Sequence, residues 1–314
     1  MRKVSVDSYC DKRLAQSWII KIIFKSRNSF NHLKLITQPL TQKSLTHSFT
    51  NSLNKKMDYG ICMLSLVPMR AEPSDKAEMV TQVLFGECLE VLSKQGNWVQ
   101  VQLASDEYKG WIDYKQYTPI SAAYYQEWRA VQHPRALDIV QVVSNADMRI
   151  PVGIGAYLPF FDGMSLQIDG QTFQYSGRAT NPTVPVTSAQ LTKVAQGFLK
   201  APYLWGGKSM FGIDCSGFTQ QVYGLCGIQL PRDASQQVAV GEEVHFATQT
   251  QPGDLAYFAN DEGRITHVGI MLEGQQIMHA HGEIRIDTLD HNGIYNAERK
   301  RYSHNLRIIK RIFS

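Results

Sequence analysis

Residues Gly212 to Phe218 read GIDCSGF, and this stretch decides how the C-terminal half folds. A glycine pair, Gly206-Gly207, marks a loop ahead of it. Behind it Phe218, Val222 and Leu225 recur at helical spacing, and Gly227 supplies a stop. Cys215 therefore opens a helix that is expected to run to about Leu225. At that position the helix dipole and the unpaired N–H groups favour negative charge, which biases a thiol toward the nucleophilic thiolate. The segments LAYFAN, THVGIML, QIMHAHG and EIRIDTL that follow read as successive antiparallel strands. Helices followed by a run of strands predict an α+β domain.

A cysteine hydrolase needs a base for the thiol proton and a group that orients the base. His267 lies on one of these strands and His279 on the next. If the strands pair through the turn at Glu273-Gly274, His279 can sit beside His267 and hydrogen-bond its ring. The backbone N–H of Cys215 is placed to hold a developing oxyanion.

Outward from this core the chain divides into four segments. Residues 1–56 hold 11 Lys and Arg against 2 Asp, a net charge of +9, while the remainder holds 21 basic and 26 acidic residues, a net −5. The overall +4 thus comes from the N-terminal segment, and a mildly acidic remainder argues against nucleic-acid binding. The apolar patch Trp18 to Phe24 is short and interrupted by Lys21, a poor secretory signal. We expect residues 1–56 to be a non-native or disordered extension, with translation starting at Met57; a transit or export segment is the rival. No stretch has the length of a membrane span. The five cysteines, Cys10, Cys62, Cys88, Cys215 and Cys226, form no CxxC pair, which points away from a disulfide framework and toward a reducing compartment.

Residues 57–120 alternate apolar and polar side chains in VTQVLFGECLEVL and NWVQVQL, with turns at Gly86, Gly96 and Gly110, an all-β pattern. GNWVQVQ and KGWIDY resemble the bacterial SH3-like barrel. Residues 121–185 repeat the flavour more loosely and are expected to form a second, degenerate SH3-like barrel of short strands. Asn181 to Pro185 reads as a linker, since its prolines disfavour helix. In 186–314, SAQLTKVAQGFLK predicts a helix capped by Thr187 or Ser188.

YLWGGKSMFGIDCSGFTQQVYGLCGIQLPRDASQQ, with PGDLAYF, HVGIML and IMHA after it, resembles the NlpC/P60 cysteine peptidases over most of residues 186–314. Together with the SH3-like segments, the chain from Met57 resembles the γ-D-glutamyl-L-diamino-acid endopeptidases that process cell-wall murein peptides. The resemblance implies a multidomain fold, two SH3-like β-barrels followed by a papain-like α+β domain. It implies Cys215 as nucleophile, His267 as base and His279 as the orienting residue. It also implies a receptor for the free amino terminus of L-Ala-γ-D-Glu, built from Tyr203, Asp214 and Ser216 and closed by an acid and a tyrosine of the first SH3-like domain. The nearest candidates for those two are Glu78 and Tyr114, with Glu72 and Tyr117 as neighbours; Ser235 is a further wall residue. No cofactor or metal is expected, and neither nucleic acid nor membrane as a partner.

Plainer readings compete at several positions. Cys62, Cys88 and Cys226 read as buried structural residues. Asp214 is a favoured helix cap, a role compatible with binding. Trp205 packs the loop, His281 is a solvent-facing neighbour of His279, and Arg232 pairs with a local acid. A zinc site of Cys215, His267, His279 and His281 is disfavoured, because one thiol with three imidazoles is an uncommon ligand set. The expected activity is hydrolysis of the γ-D-glutamyl–diamino acid bond in peptides with a free N-terminal L-Ala, as in cytoplasmic murein peptide recycling. An exported lysin anchored by its SH3-like domains and a non-catalytic murein-peptide binding module are the rivals.

Overall fold

The computed structural model describes residues 58–246 and 249–313. The expectations for residues 1–56 and for a start at Met57 lie outside them. Among the described residues, no helix is long and apolar enough to cross a membrane.

Seven antiparallel strands between Asp58 and Ile120 form the first β domain. The alternation in Trp98–Leu103 turns Val99, Val101 and Leu103 inward, where they meet Val67, Met69, Leu89 and Ile112. Residues 121–185 depart from the all-strand expectation. A helix, Ala122–Arg129, precedes a four-stranded antiparallel sheet spanning Val140–Tyr175. Ser121 caps the helix by accepting from the Tyr124 N–H at 3.2 Å. Tyr124, Tyr125 and Trp128 are its buried face. These aromatics favour strands in isolation, and the Ser cap with burial of one helical face outweighs that preference. Their core also takes in Tyr59, Ile61, Phe85 and Cys88 from the first domain, so the two β segments share apolar packing across the boundary at 120.

The C-terminal domain holds the helices Ser188–Gln196 and Cys215–Leu225, a short helix Ala234–Gln237, and a seven-stranded antiparallel sheet. Thr187 and Gln190 form the capping box of the first helix. The long last strand, Arg301–Arg311, pairs with Leu255–Ala259 and also with Gly293–Asn296. With Ile265–Met271, Gln276–His281 and Glu283–Leu289 between those two, six strands close into a barrel.

Strand alternation then sorts the side chains. Val268, Ile270, Met278 and Ala280 face outward and pack with Phe218 and Val222 of the Cys215 helix. His267 and Gly269, with His279 and Ile277, share the opposite face with Phe258, Met271 and Leu289. The packing that seats the Cys215 helix therefore turns both histidines to the inner face of the barrel.

Candidate active site

Cys215 is the first residue of its helix and is buried at 7 % exposure. Asp214 caps the helix, accepting from the Gly217 N–H at 2.6 Å. Gly217 cannot be larger, because a Cβ there would stand 2.3 Å from the Gly207 carbonyl oxygen. The backbone N–H groups of Val268 and Ser216 stand against the sulfur, which sets it beside the strand of His267. Its own N–H belongs to the first helical turn, whose donors have no intrahelical acceptor.

The helix-start bias toward thiolate does not prevail. Burial first, and then the Asp214 carboxylate, push the Cys215 thiol up to about 12, against smaller opposing effects from Val268, Arg232 and Ser216. Burial and the neighbouring imidazoles of His304, His279 and His281 hold His267 well below the usual histidine range. The resting pair is thus a neutral thiol and a neutral imidazole. Such a pair suits attack with concerted removal of the proton by the base, since neither charge has to persist beforehand.

Two of the expected residues meet directly, and the third, Cys215, borders their sheet at the Val268 backbone. His267 Nε2 lies 2.9 Å from His279 Nδ1, with the rings edge to face. Cys215, His267 and His279 are all buried. Gly269 makes this possible: it pairs directly across from His279, and a Cβ on it would come within 2.9 Å of the His279 Cβ and 2.7 Å of the Ile277 Cδ1. Gly269→Ala should therefore push His279 off the His267 ring while leaving the barrel folded. We expect turnover to fall about 100-fold with little change in KM, since a shift of an ångström in a catalytic group costs that much. Steady-state kinetics with a melting curve would check it, and wild-type turnover would show that the barrel absorbs the extra methyl.

The sequence reading missed two contacts. Asp287 Oδ2 accepts from His279 Nε2 at 3.0 Å, on the strand that follows His279. His304, from the closing strand, stacks on His267 with ring centroids 4.1 Å apart. Tyr203, His267, His281 and His304 line a cleft of about 270 Å³. His267, His279 and His304 are also the candidate metal group among the described residues, with one ligand atom from each lying within 4.8 Å of the others. In this group His267 Nε2 and His279 Nδ1 already face each other in a hydrogen bond.

The expected amine receptor is arranged differently from the sequence reading. Asp214 is filled internally: its carboxylate accepts from Gly206 and Gly217 N–H groups and from two nitrogens of Arg232, at 2.6–3.1 Å. Its carboxylate thus serves as helix cap and as partner of the Arg232 guanidinium. Ser216 is buried and accepts from the same guanidinium at 2.9 Å. Tyr203 is partly exposed, and burial together with the nearby Cys215 and Asp214 pushes its hydroxyl up to about 12.

Ser235 is exposed on its short helix, whereas Ala234 beside it is buried in the catalytic core; one helical step of rotation separates them. Tyr114 opens a 3-10 turn and is half exposed. Tyr108 of that domain reaches the catalytic domain, where its hydroxyl donates to Asp233 at 3.2 Å. Glu78 is exposed and is brought to the loop ahead of the nucleophile, where it accepts from Trp205 Nε1 at 2.6 Å. That contact leaves its second oxygen as an acceptor at the domain junction.

Comparison with known proteins agrees with this architecture. The NlpC/P60 family model matches residues 200–302, and the model of the bacterial dipeptidyl-peptidase SH3 domain matches residues 69–116. A γ-D-glutamyl-L-lysine dipeptidyl-peptidase of Bacillus subtilis is 32% identical over 219 residues, covering 64% of this chain and 71% of the relative. Its Bacillus cereus counterpart is 30% identical over 238 residues, covering 65% and 67%. A crystal structure of an NlpC/P60 family protein from Bacillus cereus superposes with a TM-score of 0.67 at 21% identity, covering 81% of this chain and 99% of that one, a likeness of fold. With an SH3-like domain, a helix opened by Cys215 and a histidine-bearing barrel in this order, the chain belongs to the NlpC/P60 family of cysteine peptidases.

Proposed function

We propose that the protein hydrolyses the bond between γ-D-glutamate and the following diamino acid in murein-derived peptides that carry a free N-terminal L-Ala. The observation that carries this reading is the 2.9 Å contact between His267 and His279 next to the strand that borders the Cys215 sulfur. The names of the two Bacillus relatives support the bond class.

In the reaction, the Cys215 Sγ attacks the γ-carbonyl carbon as its proton passes to the free ring nitrogen of His267. The carbonyl oxygen becomes an oxyanion held by the Cys215 N–H. The C–N bond breaks, the departing amine takes the proton from His267, and a thioester remains. Water then gives its proton to His267 and attacks the thioester. The C–S bond breaks, the proton returns to sulfur, and L-Ala-D-Glu leaves.

Glu78 is the carboxylate available for the substrate ammonium, because Asp214 is already paired with Arg232. A site that pairs with a charged amine rejects the analogue lacking it. N-acetylation of L-Ala-γ-D-Glu-L-Lys should therefore lower kcat/KM by at least about 100-fold. Glu78→Gln should narrow that ratio by roughly two- to fivefold, since exposed charge pairs are weakly coupled. Equal cleavage of the free and acetylated peptides, followed by chromatography, would remove the amine-recognition part of the reading. A free-amine requirement directs the enzyme to released peptides rather than intact wall, which is a recycling role in the cytoplasm with translation from Met57. An intact mass that includes residues 1–56 would overturn that location and leave the chemistry untouched.

A further inference from the structure

Asp287 is almost fully buried, and two groups hold it. Arg285 approaches both of its oxygens, Nη2 to Oδ1 at 3.0 Å and Nε to Oδ2 at 2.9 Å. His279 Nε2 meets Oδ2 at 3.0 Å. Burial opposes the charge on Asp287, yet the hydrogen bonds from His279 and Arg285 keep its carboxyl below the usual carboxylate range. An ionised carboxylate only accepts hydrogen bonds.

The consequence runs along a chain of nitrogens. His279 must carry its proton on Nε2 to meet Asp287. In a neutral ring Nδ1 is then a lone pair. That lone pair lies 2.9 Å from His267 Nε2, and two lone pairs do not face each other at that distance, so His267 Nε2 carries a proton. Burial of His267 among other imidazoles keeps its ring neutral, which leaves Nδ1 as its lone pair. We propose that Asp287 is a positioning residue that sets, through His279, the tautomer in which His267 offers its Nδ1 lone pair to the Cys215 thiol. This rests on the roles given to Cys215 and His267 above. When His267 takes the thiol proton, the same line of hydrogen bonds points the new positive charge at the Asp287 carboxylate. No further proton has to move.

The pairing of Gln276–His281 with Glu283–Leu289 explains why Asp287 reaches His279. His279 stands opposite Arg285, and Asp287 lies two residues further on the same face. That diagonal is within reach of a histidine ring. Arg285 also touches Glu298 at 3.4 Å, so part of its pairing survives removal of Asp287.

The direct test is nitrogen-15 NMR of histidine-labelled full-length protein, in which two-bond couplings report which ring nitrogen bears the proton. Both His267 and His279 should be Nε2–H tautomers in the wild type. In Asp287→Ala, His279 should lose that preference and show Nδ1–H signal. A wild-type His279 or His267 carrying its proton on Nδ1 overturns the proposal, whatever the activity. On turnover of L-Ala-γ-D-Glu-L-Lys, Asp287→Ala should lower kcat about 100-fold with KM within about threefold, the size seen when an outer hydrogen-bond partner of a functional histidine is removed. Asp287→Glu should recover part of it. Wild-type kcat in Asp287→Ala, at an unchanged melting temperature, also overturns the proposal. Failure of the wild type to cleave any γ-D-glutamyl peptide would defeat the proposed function and leave the tautomer assignment standing on the spectra.

Discussion

Cys215→Ala should abolish hydrolysis of L-Ala-γ-D-Glu-L-Lys, with kcat falling roughly 10⁴- to 10⁶-fold, the range found when a covalent nucleophile is deleted. The expected residue of activity is small for a structural reason. Among the described residues, the side chains meeting buried His267 and His279 include Phe258, His281, His304 and Asp287, none a thiol or hydroxyl, and His267 is held in its neutral form by burial and by the adjacent imidazoles. The substitution should leave the fold intact. Cys215 contributes a small side chain to a core built chiefly from Phe218, Val222, Val268 and Ile270. Deleting one buried sulfur costs far less than deleting a large aliphatic side chain. An unchanged melting curve with lost turnover is therefore the expected pair of results. Cleavage that survives the substitution would end the covalent mechanism and favour a binding module with a contaminating activity.

Arg232→Met should produce the largest loss of stability. Arg232 is 1 % exposed and is the largest fully buried side chain among the described residues. Its guanidinium donates to Asp214 Oδ1 at 3.1 Å and Oδ2 at 2.6 Å, to Ser216 Oγ at 2.9 Å, and through Nε to Thr81 Oγ1 at 2.8 Å. One side chain thus ties the nucleophile helix to the first β domain. Breaking a buried ion pair from one side strands the other charge, at a cost of about 3–5 kcal/mol. For a protein of this size that corresponds to a fall in Tm of roughly 10 °C. The partner argues the same way in reverse. Arg232→Met with Asp214→Asn should be more stable than Arg232→Met alone, because the stranded carboxylate is gone. Calorimetry of the four proteins closes the cycle; an Arg232→Met protein that melts within about 2 °C of wild type would show that the pair contributes little. Arg232→Met should also slow turnover, since Arg232 opposes the rise in the Cys215 thiol that Asp214 causes.

The parts legible in the sequence are those written in neighbouring residues. The nucleophile helix follows from Asp214 as cap, Gly217 behind it and apolar residues at helical spacing, and the structure shows that cap and that buried face. The pairing of His267 with His279 follows from two strands joined by a short turn at Glu273-Gly274, which sets their register. The helix Ala122–Arg129 is less legible, because Tyr and Trp carry a strand preference that the Ser121 cap and burial against Tyr59 and Tyr157 override. Ser235 and Ala234 illustrate a finer limit. Which of two adjacent residues faces inward depends on the rotation of a four-residue helix whose ends the sequence marks only loosely.

By itself the sequence placed the candidate groups: one thiol at a helix start and two imidazoles on adjacent strands, all set by contacts within a few residues or one hairpin. Tertiary structure alone decided the state those groups are in. Closure of the barrel brought His304 onto His267, and strand pairing brought Asp287 to His279. The fold also joined Arg232 to Asp214 and Thr81 and brought Glu78 to Trp205. Protonation depends on desolvation and on charges within a few ångströms, whatever their separation along the chain. Those surroundings exist only once the three segments from 58 to 313 are packed together, and they turn a helix-start cysteine that favours thiolate into a buried thiol awaiting its base.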